Sequence, residues 1–124
     1  MIVREPRCLI LPAAVERFVR AVNGGDLDGL VETFAESALV NDQLCEYRGR
    51  EAIKRWARRE VVGQALSMHV MNVVTRHDQS AVEASIDGSF DKRGLPDPLI
   101  VSFYFSTQDE AISQLNILRN EPAP

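Results

Sequence analysis

Cysteine and histidine are scarce in this chain, with two of each among 124 residues. Cys8 and Cys45 stand far apart and match neither a metal-ligand nor a redox spacing. They suffice for one disulfide at most, and nothing else points to an oxidising compartment. His69 and His77, without a cluster of acids at ligand spacing, give no reason to expect a metal. No serine or cysteine has the neighbours of an activated nucleophile, and no glycine-rich phosphate loop occurs. Long apolar runs are missing too. None approaches the roughly 18 residues of a membrane span. The run Cys8-Leu9-Ile10-Leu11 is too short for a signal peptide and is stopped by Pro12. A basic excess is also absent: the net charge is -4, whereas phosphate backbones call for a clustered basic surface. The densest basic run, Lys54, Arg55, Arg58 and Arg59, falls within one predicted helix and reads as a solvated face. These absences leave a cytoplasmic protein with no cofactor, no metal, and neither nucleic acid nor membrane as partner.

What remains is ordinary globular material, with 45% hydrophobic and 26% charged residues. That length and balance suit a single domain over residues 1–124, with a lead-in at 1–11 and a frayed tail at 120–124.

The first half has helical periodicity. Pro12 suits a first helical turn, and Val15, Phe18, Val19 and Val22 then form one apolar stripe. Asn23-Gly24-Gly25 ends this helix and Asp26 caps the next, whose stripe is Leu27, Leu30, Val31 and Phe34. Ala38-Leu39-Val40 reads as a short strand, and 43–48 as a loop or second strand. A third helix spans about Arg50 to Val62, with Ile53, Trp56, Ala57 and Val61 on one face, until Gly63. The second half is β-rich: Leu66–Arg76, Ala81–Phe90, Leu99–Ser106 and Ala111–Leu118, separated by turns and by a Gly/Pro loop at 91–98. Three helices therefore precede a four-stranded antiparallel meander. The expected fold is α+β and cone-shaped, with three N-terminal helices packed on a curved, mostly antiparallel sheet and a space open at one end.

Three segments carry a family resemblance: Phe18 through Asp28, Phe34-Ala35-Glu36-Ser37-Ala38, and Tyr47-Arg48-Gly49-Arg50-Glu51-Ala52-Ile53. In these the chain resembles the nuclear transport factor 2-like superfamily, particularly its SnoaL-like polyketide cyclase and ketosteroid isomerase branches. The resemblance covers nearly the whole chain. It implies the cone fold, whose members include isomerases, cyclases, dehydratases and non-catalytic binders, so function must be argued from the site. It places Asp42, in Val40-Asn41-Asp42, where the isomerases carry their proton-shuttling acid. It places Phe18 and Val101 at the oxyanion-hole positions. Neither side chain donates a hydrogen bond, so the electrostatic contribution that carries enolate chemistry is missing, which argues against standard steroid isomerisation. The resemblance also implies a homodimer through the outer sheet face, with Tyr104, Leu115 and Ile117 as apolar contacts.

Asp42 and His69 are the candidate catalytic residues. An aspartate facing an apolar cone has a raised pKa and serves as a base near neutrality; the alternative is an exposed turn aspartate. His69 could move protons, but strand alternation sets it with Met71 and Val73, opposite Asn72, so both face the cone only across a bulge. Gln114 and Asn116 either look into the cone as ligand-orienting amides or face solvent, with Leu115 and Ile117 as core. Phe18, Trp56, Ile86, Phe90, Val101, Phe103 and Leu118 are candidate walls, each also readable as plain core. Gly88 either widens the cavity or marks a bulge. The function these residues suggest is a pocket for a small hydrophobic ligand, with cofactor-free isomerase, cyclase or dehydratase chemistry through Asp42. The competing reading is a non-catalytic binding or dimerisation module.

Overall fold

The computed structural model describes residues 10–119, so the lead-in expected at 1–11 falls almost entirely outside the described residues, as does the tail at 120–124. Helix α1 runs Ala13–Gly24 and α2 runs Leu27–Glu32. Strand β1 covers Phe34–Asp42 and β2 Cys45–Arg48. Helix α3, Arg50–Ala57, continues into a π-helical turn, Arg58–Val62. Strands β3 to β6 are Ser67–Arg76, Gln79–Asp87, Leu99–Gln108 and Ala111–Arg119. The protein is thus α+β, a curved sheet with helices packed on its concave face.

The helical hairpin forms as its capping residues dictate. Gly25 adopts φ 64° and closes α1 with its amide on the Val22 carbonyl, a left-handed conformation glycine accepts freely. Asp26 caps α2 by accepting from the Gly29 amide at 3.0 Å. Asn23 does more than terminate a helix. Its amide nitrogen donates to the Met68 carbonyl at 3.0 Å and its oxygen accepts from the Met68 amide at 2.7 Å. One side chain therefore satisfies both backbone groups of a β3 residue and ties α1 to the sheet.

The sheet is larger than the expected meander. It has six strands in the order β2-β1-β6-β5-β4-β3. All neighbours are antiparallel except β1 and β6, which run parallel with Val40 opposite Leu115 and Asp42 opposite Ile117. Strand β1 is also longer than Ala38–Val40, and Phe34 belongs to it rather than to the second helix. The helix ends two residues earlier, at Glu32, and the hydroxyl and amide of the capping Thr33 both turn back to the Leu30 carbonyl. Phe34 is fully buried nonetheless, packing edge-on to Phe18 at 6.0 Å. The register shifts between Phe34 and Leu39, and Arg50 bridges there with two donors to the Phe34 carbonyl at 3.0 and 2.8 Å.

The core lies between α1, α3 and the concave face. Val15, Phe18 and Val22 of α1 and Ile53, Trp56 and Ala57 of α3 meet Val82, Ala84, Phe103, Phe105, Leu115 and Ile117. Phe18 is the hub, with its ring 5.2 Å from Phe105 and 6.4 Å from Phe103. Burial of such a side chain contributes roughly 1.5–3 kcal/mol.

Two bulges decide which residues face inward. In β3 the register shifts between Val70 and Asn72, leaving Met71 as the extra residue. In β6 the shift between Ser106 and Thr107 of the partner strand leaves Ser113 unpaired, its hydroxyl donating to the Ser106 carbonyl. Ile112 and Leu115 both point into the core although three positions separate them.

Candidate functional site

Between the helices and the open end of the sheet lies a cavity of about 320 Å³. Its apolar wall comes from every layer: Phe18 and Val22 of α1, Trp56 of α3, Val61, Leu66, Met68, Ile86, Phe90, Leu95, Leu99, Val101, Phe103 and Ile117. Five polar side chains interrupt that wall: Asp42, Gln43, Glu60, Gln64 and Arg119.

Asp42 is placed by chain geometry. It is the last residue of β1, on the same face as buried Ala38 and Val40, and the β1–β2 turn begins directly after it with Gln43 and Leu44 at positive φ. The indole N–H of Trp56 donates to Asp42 Oδ2 at 2.9 Å. Burial pushes the Asp42 carboxyl above the usual aspartate range. The Trp56 hydrogen bond opposes this, the Glu60 charge adds to it, and Gln43 and Arg59 pull the other way.

The support around this pair is a chain of contacts. The Tyr47 ring lies 6.3 Å from that of Trp56. The Arg59 guanidinium sits over Tyr47 at 5.7 Å and donates to its hydroxyl at 2.9 Å. Arg59 also pairs with Glu60 at 2.9 Å. The basic run of this helix is thus exposed, as expected, but Arg59 braces the wall that carries Trp56. The π-helical turn, closed by the Gly63 amide on the Arg58 carbonyl, presents Glu60 and Val61 to the same cavity. Such turns recur at functional sites.

Of the residues nominated from sequence, the structure brings Asp42, Phe18, Trp56, Ile86, Phe90, Val101 and Phe103 together on one cavity wall. It does not bring the others there. The β3 bulge exists, but it turns His69 and Asn72 both outward: His69 pairs with Ser85 and Asn72 with Glu83, two positions apart on the same face of β4. His69 is exposed, and Asn72 donates weakly to Glu83 at 3.4 Å. Gln114, Asn116 and Leu118 also lie on the outer face, because Leu115 pairs with Phe105 and Ile117 with Phe103 on the inner one. Leu115 and Ile117 are therefore core residues and not outer-face contacts, while Tyr104 is exposed as expected. Gly88 neither widens the cavity nor sits in a paired strand. A Cβ there would lie 2.7 Å from the Gln64 carbonyl oxygen and 3.1 Å from the Phe90 ring, so the glycine permits a close approach between the end of β4 and the turn after α3.

Glu60, Gln64 and Arg119 were not singled out by sequence. Glu60 lay hidden in a charged stretch, although it follows Trp56 by four residues and so shares the helix face that Ile53, Trp56 and Val61 turn inward. Arg119 is on a strand end whose register the bulge decides. Among the described residues, no group of three or more His, Cys, Asp and Glu is arranged to hold a metal ion, Cys45 is a free, exposed thiol, and no helix is long and apolar enough to cross a membrane.

A cone of helices on a curved sheet, open at one end onto a half-buried carboxylate, defines the class of fold. The chain belongs to the SnoaL-like domain family, whose pattern it matches over residues 15–114. Among solved structures, a Sinorhizobium meliloti protein described as a polyketide cyclase is 29% identical, with a TM-score of 0.77 over 86% of this chain and 94% of its own. A Kribbella flavida protein described as a ketosteroid isomerase is 13% identical with a TM-score of 0.75, over 91% and 79% of the two chains. A nuclear transport factor 2-like protein from Cytophaga hutchinsonii is 12% identical with a TM-score of 0.72, over 93% and 95%. The last two establish the fold alone.

Proposed function

We propose that the cone binds a small, mostly apolar molecule bearing a carbonyl group, and that Asp42 acts on it as a general base without a cofactor. The observation that carries this is the setting of Asp42: a carboxylate held by the Trp56 N–H at 2.9 Å, on a wall dominated by aromatic and aliphatic side chains, with Glu60 as the other acid. Such a cavity with a few convergent polar groups is the usual form of a small-molecule site. A carboxyl whose pKa is raised is a stronger base once ionised. Abstraction of a proton α to a carbonyl would place negative charge on the carbonyl oxygen. Phe18 and Val101 both line the cavity and cannot stabilise that charge. Gln43, Gln64 and Arg119 line it as well and carry N–H donors, so a non-standard oxyanion site built from them is the form the chemistry would take. Isomerisation, cyclisation and dehydration all use such a step, and the likeness to the protein described as a polyketide cyclase favours cyclisation within that set.

The second reading is a binding module without turnover, favoured by the same two residues, Phe18 and Val101, at the isomerase oxyanion positions. Binding itself is tested through Trp56, the single tryptophan. Titration with cyclic and straight-chain ketones should change its emission saturably, and a Val101→Trp substitution that fills the cavity should abolish ketone binding measured by calorimetry. Binding unaffected by the filled cavity would remove both readings.

As a partner we propose a second copy of this chain, docked on the outer sheet face. Val74, Ala81 and Tyr104 form a row across β3, β4 and β5 there, and Val74 and Tyr104 are exposed. Sedimentation of a Tyr104→Glu variant tests it: a dimer in the parent and a monomer in the variant is expected, and a monomeric parent would refute it.

A further inference from the structure

A second cavity, of about 610 Å³, lies beside the first under the connection between β4 and β5. The two share four lining residues: Ile86, Phe90, Leu95 and Leu99. Ile86 and Leu99 are paired across β4 and β5 and cannot move without breaking the sheet. Phe90 and Leu95 belong to the connection itself, outside regular structure. The partition therefore has a fixed half and a replaceable half.

We propose that Phe90, with Leu95 behind it, is the end wall that sets the size of ligand the cone accepts; this rests on the reading of the cone as a ligand site. Three observations place the ring there. Its backbone is held where it is, because the Ser89 amide donates to the Gln64 carbonyl at 2.7 Å. The absence of a side chain at Gly88 lets the ring lie against that bend, 3.1 Å from where a Cβ would stand. The Lys92 ammonium, 5.9 Å from the ring centroid, covers it from outside. The bend fixes where Phe90 starts but not its side-chain rotamer, so truncating the ring joins the two spaces while leaving the backbone in place. Beyond the ring the character changes. The second cavity is lined by Ser85, Asp87, Lys92 and Asp97 as well as by apolar groups, so a ligand extending through the partition would place a hydroxyl or amide there.

The test is a chain-length series of 2-alkanones, and of the same ketones with a terminal hydroxyl, titrated by calorimetry into the parent, Phe90→Ala and Leu95→Ala. In the parent, affinity should rise roughly fourfold per added methylene, the value for burying one such group, and stop at a definite length. In both variants the rise should continue for at least two more methylenes. Terminal hydroxyls should improve binding of the longer ketones in the variants only. Leu95→Ala keeps the proposal testable where loss of the aromatic ring unfolds the loop. The same limit in parent and variants, with binding intact, overturns the end-wall assignment alone. No binding of any ketone to any of the three proteins overturns the ligand-site reading and this inference with it.

Discussion

The indole nitrogen of Trp56 lies 2.9 Å from Oδ2 of Asp42, joining the inner face of α3 to the last residue of β1. It holds one carboxylate oxygen on a wall of the cavity that both residues line. It also opposes the upward push that burial exerts on this carboxyl. Removing the donor should therefore raise the Asp42 pKa further. Carboxyl-carbon NMR of the parent should show Asp42 titrating above the ordinary value of 3.8, and Trp56→Phe should move that titration to still higher pH. A downward move would mean that the indole acts by excluding water and not by hydrogen bonding.

The same raised pKa makes a statement about stability. Asp42 holds its proton more tightly in the folded chain than in the unfolded one. The stabilisation this brings is complete below the unfolded value, about 3.8, and is lost as pH rises through the higher folded value. Asp42→Asn has no such dependence and can still accept from Trp56. The stability of the parent relative to Asp42→Asn, from urea unfolding at a series of pH values, should thus fall across that window and then level off. A relative stability that grows with pH would contradict the half-buried setting of Asp42.

Asn23 should be worth more to stability than its place in a Gly-rich break suggests. Asn23→Ala leaves the Met68 amide and carbonyl without the partners seen at 2.7 and 3.0 Å. A loss of about 1–3 kcal/mol is expected for such orphaned, part-buried groups, read from thermal or urea unfolding. A neutral substitution would show that water replaces the side chain.

Asn23 also shows how far the sequence could be read. The Asn23-Gly24-Gly25-Asp26 break, the two helical stripes and Gly63 are local signals, set by backbone conformation and capping, and they yielded the helices and the cone fold. Asp42 was legible through the family resemblance, and strand alternation from buried Ala38 and Val40 carries it to the same face. What strand alternation could not supply was the effect of an extra residue. Met71 and Ser113 each add one to their strands, and each reverses the facing of what lies beyond: His69 and Asn72 share an outer face, and Ile117 rather than Gln114 or Asn116 meets the cavity. The parallel pairing of β1 with β6 joins segments some seventy residues apart, which no local pattern records.

Gly88 offers a test of that close approach. Gly88→Ala places a methyl 2.7 Å from the Gln64 oxygen and 3.1 Å from the Phe90 ring, so the backbone or the ring must shift. Overpacking of this kind costs about 1–3 kcal/mol. The variant should unfold at lower urea concentration and bind the ketone probes differently. Unchanged stability together with unchanged probe binding would show that the β4–β5 connection yields freely.

The central claim is that Asp42 removes a proton from a carbonyl-bearing molecule held in the cone. It is tested most directly by deuterium exchange at the α-carbon of hydrophobic ketones in heavy water, followed by proton NMR with the parent and with Asp42→Asn. The account predicts exchange accelerated by the parent and reduced at least a hundredfold in the variant, at the low end of what a positioned general base contributes. Exchange that survives the substitution, or ketones that bind the parent without exchanging, would contradict it and leave the cone as a binding site.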